Sequence, residues 1–83
     1  MLTAQVFVRP KRGVLDPQGK TVQQALATLG FDEVTDVRVG RYVLLKLDGD
    51  DVGAAEQRVR AMCERLLANG VIEDFDIRVA PAE

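Results

Sequence analysis

Apolar and polar residues alternate from the first positions of the chain: Leu2, Ala4, Val6 and Val8 stand between Thr3, Gln5, Phe7 and Arg9. A period of two predicts a strand with one face in a core, and Pro10, which lacks a donor, ends it. Asp16-Pro17 then reads as a helix start, an N-cap carboxylate followed by the residue best suited to the first helical position. Val22, Ala25, Leu26 and Leu29 continue it as one apolar stripe. Gly19 weakens its first turn, and Gly30 supplies a left-handed stop.

From Val34 to Leu47, the residues Val37, Val39, Val43, Leu45 and Leu47 keep one parity, which predicts a long strand bent near Gly40. A hairpin turning at Gly40-Arg41 competes with it and would group Val37, Val39, Tyr42 and Leu44 on one face. Asp48-Gly49-Asp50-Asp51 predicts a turn with a capping carboxylate for a second helix. That helix carries its apolar stripe on Val52, Ala55, Val59, Met62 and Leu66, with Glu56 and Arg60 as an i,i+4 pair, and ends at Asn69-Gly70. Phe75, Ile77 and Val79 alternate in a last strand that closes at Pro81.

The order β-α-β(β)-α-β predicts an α+β fold in one domain, residues 1–83, with two helices on one face of a mostly antiparallel sheet. Two short helices shield one side only, so a face and two edges lack cover, and self-association as a dimer or a dimer of dimers is the expected remedy. The candidate oligomer interface is the set Val37, Val39, Val43, Leu45 and Leu47.

Composition sharpens this picture mainly by exclusion. A chain of 83 residues is short enough that its own core is marginal. Its hydrophobic fraction of 47% and charged fraction of 29% are those of an ordinary folded protein. Net charge is −2, which disfavours nucleic acid and anionic membranes as partners, but it is unevenly laid out: residues 1–31 carry +3 and the remainder −5. Histidine is absent, which removes the commonest general base and metal ligand. The single cysteine excludes an intrachain disulfide and fits a reducing cytoplasm. Residues 1–8 lack the features of a signal peptide, and no apolar run approaches a membrane span.

Candidate chemistry is sparse. Asp48, Asp50 and Asp51 are spaced closely enough to interest a hard cation, but the other ligands of a calcium loop are missing, so a cap in a solvated turn is favoured. The pairs Asp32-Glu33 and Glu73-Asp74 are read as solvated turns. Cys63 has no base beside it and is read as packed and inert. Arg9, Lys11, Arg12 and Gly13 form a basic loop that faces water, a partner or a small anion, without the Gly-x-x-x-x-Gly-Lys of a phosphate loop. With Val14 and Leu15 this connection is longer than a strand-to-helix link requires. Two readings stay open: the apolar pair tucks against the first helix, or the whole segment Arg9, Lys11, Arg12, Gly13, Val14 and Leu15 is a partner interface docking on an acidic surface. No catalytic, cofactor-binding or metal-binding residue is expected in this chain.

Several blocks resemble the PurS family: Gly13-Val14-Leu15-Asp16-Pro17-Gln18-Gly19-Lys20-Thr21-Val22, Leu29-Gly30-Phe31, Val37-Arg38-Val39-Gly40-Arg41, Met62 to Asn69, and Val71-Ile72-Glu73-Asp74-Phe75. The likeness runs from about residue 3 to residue 79. It departs from the family pattern at Gly70, where proline is expected, which touches only a helix-to-strand turn. PurS is the small subunit of bacterial and archaeal phosphoribosylformylglycinamidine (FGAM) synthase. The resemblance implies a cytoplasmic, noncatalytic subunit of a purine-biosynthetic ligase, bridging the glutaminase PurQ and the synthetase PurL and helping to shield ammonia in transit. It implies no cofactor in this chain, with ATP and Mg²⁺ in the large subunit. The readings set against it are a stand-alone ferredoxin-like ligand-sensing domain and a small enzyme.

Overall fold

A computed structural model describes residues 1–82. Its elements run β1 (Leu2–Pro10), α1 (Pro17–Thr28), β2 (Arg41–Leu47), α2 (Val52–Met62) continued by a π-helical turn (Cys63–Leu67), and β3 (Glu73–Pro81). The α+β class and the order β-α-β-α-β are those expected. β1 is the central strand, antiparallel to β2 on one side and to β3 on the other.

Register explains why the core sits where it does. Val6 lies opposite Val43 and Ile77, and Ala4 opposite Leu45 and Val79, so the inward positions of all three strands share one face. On it, α2 and its π turn lay Val59, Cys63 and Ala68, burying Ala4, Val6 and Val8 of β1. The contacts of α2 are with β3 and β1. The inner residues of β2, Val43, Leu45 and Leu47, are therefore only half-buried.

The expected long strand and the competing hairpin both give way to a shorter β2. Arg41 pairs with Val8, so one further step of register would set Gly40 against Arg9 and the next Val39 against Pro10, which has no N–H to give. Residues 34–40 instead form an irregular strap that bonds to α1. At Gly40 the strap crosses the end of β1 so closely that a Cβ there would sit 2.0 Å from the Val8 carbonyl oxygen.

The second helix departs from its expected stripe at its end. Ala68 N–H donates to the Cys63 carbonyl at 3.0 Å, five residues back, and this wider turn carries Cys63 and Ala68 inward. Leu66, placed on the sheet side by a regular 3.6-residue period, is 81% exposed instead. The helix stops at Ala68, which is extended, and not at a left-handed Asn69-Gly70 cap.

Of the two helices, only α2 covers the sheet. Helix α1 has at most marginal contact with any strand, and the molecule is correspondingly long and thin, 48 × 30 × 14 Å. Its one buried residue is Gly19. The reason lies in the strap, which holds the helix beyond the end of the sheet.

Candidate interaction site

The basic loop is a tight, anchored turn. Pro10 ends the pairing of β1, and Lys11 N–H then donates to the Ile72 carbonyl at 2.8 Å, pinning the loop's base to the approach of β3. Val14 N–H closes back on the Lys11 carbonyl at 3.2 Å through Gly13, whose φ of +82° is the left-handed conformation that glycine adopts without strain. Arg12 is thereby held at an exposed tip and Leu15 is 77% exposed, while Lys11 and Val14 are half-buried. The exposure of Leu15 overturns the tucking of the apolar pair for that residue. Arg9 stands apart from the loop, on the outer face of β1, where its guanidinium pairs with Asp76.

Asp16 joins this loop to helix and strap. Its Oδ1 accepts from Gly19 N–H at 2.9 Å, the cap expected from sequence, and its Oδ2 accepts from Val39 N–H at 2.8 Å. These two donors hold the Asp16 carboxyl below its ordinary value. Gln23 Nε2 donates to the Thr35 carbonyl at 3.1 Å and Arg38 to the Pro10 carbonyl at 3.3 Å, so the strap is laced to α1 and to β1. Gly19 is the packing point, since a Cβ there would lie 2.1 Å from the Val37 carbonyl oxygen.

At the same end of the sheet, next to the loop's base, a second network fixes the helix-to-strand turn. Arg41 donates from both terminal nitrogens to Glu73, at 2.9 and 3.0 Å, and also to the Leu67 carbonyl at 2.8 Å. Asn69 N–H donates to the same carboxylate at 2.8 Å. Glu73 is thus a half-buried anchor whose side chain is 12% exposed; the reading of Glu73-Asp74 as a solvated turn is corrected, since both residues are paired in β3 and only Asp74 is exposed. The Arg41 hydrogen bonds, and then that of Asn69, hold its carboxyl below the ordinary value. Gly70 sits in this turn with open space where a Cβ would be. The sequence signal for the network was slight, because Arg41 reads only as a polar intruder in an apolar parity.

The other carboxylates and the thiol are placed as expected or lie idle. Asp51 caps α2, accepting from Ala54 N–H at 3.1 Å, while Asp48 and Asp50 remain exposed in the turn. Asp32 and Glu33 occupy an exposed turn. Cys63 is fully buried, and that burial pushes its thiol up, away from the reactive thiolate. Among the described residues no group of three His, Cys, Asp or Glu side chains is arranged to hold a metal ion. No helix among them is long and apolar enough to cross a membrane.

Two apolar surfaces remain. On the outer face of the sheet, Phe7 and Tyr42 stack with ring centroids 5.2 Å apart, Arg78 lies over Phe7, and Gln5 donates to the Tyr42 hydroxyl. The set expected as an oligomer interface is split in two. Val43, Leu45 and Leu47 line the inner face of β2, whereas Val37 is half-buried beside α1 and Val39 lies with Pro17, Thr21 and Val22 in a shallow groove on the arm.

The family model described as PurS, phosphoribosylformylglycinamidine (FGAM) synthase, matches residues 3–81. A subunit PurS of that synthase from Bacillus subtilis is 46% identical over 79 residues, covering 95% of this chain and 93% of its own length. The crystal structure of Methanocaldococcus jannaschii PurS superposes with a TM-score of 0.88 at 37% identity, covering both chains completely. A chain in the structure of PurLQS from Thermotoga maritima superposes with a TM-score of 0.83 at 27% identity, covering 96% of this chain and 99% of that one. With a match across nearly every residue of sheet, strap and both helices, this chain belongs to the PurS family and is a subunit of phosphoribosylformylglycinamidine synthase.

Proposed function

We propose that this subunit contributes no reacting group and acts by assembly, holding the glutaminase PurQ against the synthetase PurL and helping to shield ammonia between them. Membership of a ligase-subunit family displaces the reading as a stand-alone sensing domain. The observation that carries the assembly role is the Lys11-to-Leu15 loop, a turn locked at both ends that presents Arg12 and Leu15 to solvent with no hydrogen-bond partner for the Arg12 side chain among the described residues. A rigid loop with an apolar tip and neighbouring cations suits a protein surface with an acidic rim, where charge sets orientation and encounter rate. Free ammonia is protonated in water, so an assembly that excludes solvent between two sites keeps it reactive. In this reading ATP and Mg²⁺ belong to PurL, and this chain binds neither.

Reconstitution with PurQ and PurL tests the proposal. Glutamine-driven synthesis is expected to depend on this chain much more strongly than ammonia-driven synthesis does. Equal dependence of the two would overturn bridging, and turnover by the purified chain alone would overturn a purely assembling role.

The same chain is proposed to self-associate, at least to a dimer. The observation behind this is the arm: α1 carries an apolar stripe, yet Val22, Leu29 and Phe31 are all exposed. Light scattering at micromolar concentration is expected to give a dimer or a dimer of dimers, and a monomer would reject it.

A further inference from the structure

Asn69 is the only asparagine in the chain, and glycine follows it. It stands in the exposed turn between the π turn and β3, where consecutive amides run from Asn69 to Glu73. Four of these amides donate. Asn69 N–H gives to a Glu73 carboxylate oxygen at 2.8 Å, and Val71 N–H to the Asn69 side-chain Oδ1 at 3.0 Å. Ile72 and Glu73 N–H both give to the Asn69 carbonyl, at 3.1 and 2.7 Å. Among the described residues neither the Gly70 N–H nor the Asn69 side-chain nitrogen has an acceptor. The one unengaged main-chain nitrogen of the turn is therefore the one that can close a five-membered ring onto the Asn69 side-chain carbonyl carbon. The Val71 N–H already polarises that carbonyl, at the distance from which a donor stabilises the oxyanion of a tetrahedral intermediate. Gly70 leaves the approach open, with empty space where a Cβ would be. Gln18-Gly19 is built the opposite way: its ring would be six-membered, and Gly19 N–H is occupied by Asp16 Oδ1 at 2.9 Å.

We propose that Asn69-Gly70 is a site of spontaneous covalent modification whose product releases the base of the Lys11-to-Leu15 loop. The Gly70 nitrogen bonds to Asn69 Cγ, the Cγ–Nδ2 bond breaks, and the Gly70 proton leaves with the side-chain nitrogen as ammonia. Water then opens the cyclic imide, adding hydroxide to one carbonyl carbon and a proton to the nitrogen. Opening at the main-chain carbonyl gives isoaspartate, and opening at Cγ gives aspartate. Either product sets a second carboxylate beside that of Glu73, which already takes the Asn69 N–H and two bonds from Arg41. Isoaspartate also adds a carbon to the main chain and turns the carbonyl that holds Ile72 and Glu73 N–H into a carboxylate on a branch. The Ile72 carbonyl in turn holds Lys11 N–H at 2.8 Å, so the loop hangs from the turn that changes. No part of this depends on PurQ or PurL, and it stands or falls separately from the assembly role.

The full chain, incubated in mildly alkaline buffer, tests it. The expected result is a gain of one dalton, NH2 replaced by OH, on the tryptic peptide that carries position 69, together with methyl transfer to that peptide from S-adenosylmethionine by an isoaspartyl methyltransferase. Gly70→Ala fits the open space and a backbone outside the left-handed region. It is expected to slow the gain about tenfold, because a methyl group crowds the attacking nitrogen and restricts the backbone. If that variant folds poorly, Asn69→Gln, which needs the larger ring, makes the same test. Aged protein is expected to lose the hydrogen-exchange protection of Lys11 N–H that fresh protein and aged Gly70→Ala keep. No gain in mass from the folded chain, while a synthetic peptide of residues 67–72 gains it, would overturn the site. A gain in mass with Lys11 protection intact would overturn the release of the loop.

Discussion

Helices α1 and α2 carry apolar stripes of similar length, but one forms a core and the other forms an arm. Beneath α2 lie β1 and β3, and Val59 and Cys63 disappear from solvent there. Beneath α1 lies only the strap, and Leu29 is 72% exposed. Amphipathic patterning therefore states that a helix will bury a face, not in which molecule it will bury it. The α2 region is held by apolar burial, which is non-directional and tolerant of small shifts. The arm is held by a few directed hydrogen bonds around Asp16, and these fix where it points.

The sharpest way to break the comparison is to put the same charge under each helix. Val59→Asp buries an unpaired carboxylate in the core and is expected to unfold the protein, since the cost of several kcal/mol rivals the whole stability of so small a domain. Val22→Asp on α1 is expected to leave the circular dichroism of the sheet in place while abolishing the dimer in light scattering. Unfolding by both would show that the arm is as much a part of the core as α2.

Gly19→Ala attacks the clasp alone. Its methyl group would meet the Val37 carbonyl and the Asp16 carboxylate, and strain of this kind costs about 1 to 3 kcal/mol. Hydrogen exchange is expected to show α1 and the strap opening while the amides of β1 remain protected. Uniform loss of protection would mean that arm and sheet unfold as one unit.

Acid should loosen both anchoring networks. The carboxyls of Asp16 and Glu73 are held below their ordinary values of 3.8 and 4.5. Their stabilisation is complete above those values and is lost as pH falls through the lower folded-state ones. Melting temperature is therefore expected to drop on acidification from about pH 5 toward pH 3, and the drop should shrink in Asp16→Asn and in Glu73→Gln. A slope unchanged in both variants would remove these two groups from the account.

The smallest effect on stability is expected from the loop. Reversal of Lys11 and Arg12 to Glu should move unfolding by about 0 to 1 kcal/mol, as exposed charges do. Glutamine-driven activity of the reconstituted complex should nonetheless fall, and assembly should become less sensitive to salt. Wild-type activity in the double variant would reduce the loop to a structural turn.

Much of this was legible before any coordinates. The alternation of Leu2 to Val8, the caps at Asp16 and Asp51, the inward parity of β2 and β3 and the burial of Cys63 follow from residues near one another in the chain, where period and local hydrogen bonding decide. The resemblance of the Gly13-to-Val22 block to its family was legible too, although not why that block matters. Tertiary structure alone decided the rest, because each remaining feature needs a partner distant in sequence. Strand pairing stops at Arg41 because Pro10 lies on the other strand. Asp16 spends its second oxygen on Val39, 23 residues away, and Glu73 is an anchor only because Arg41 reaches it across 32. The π turn puts Leu66 outside because the sheet selects Cys63 and Ala68. A one-dimensional pattern specifies which faces are apolar, but burial is a property of two surfaces that meet, and for α1 the second surface is not supplied by its own chain.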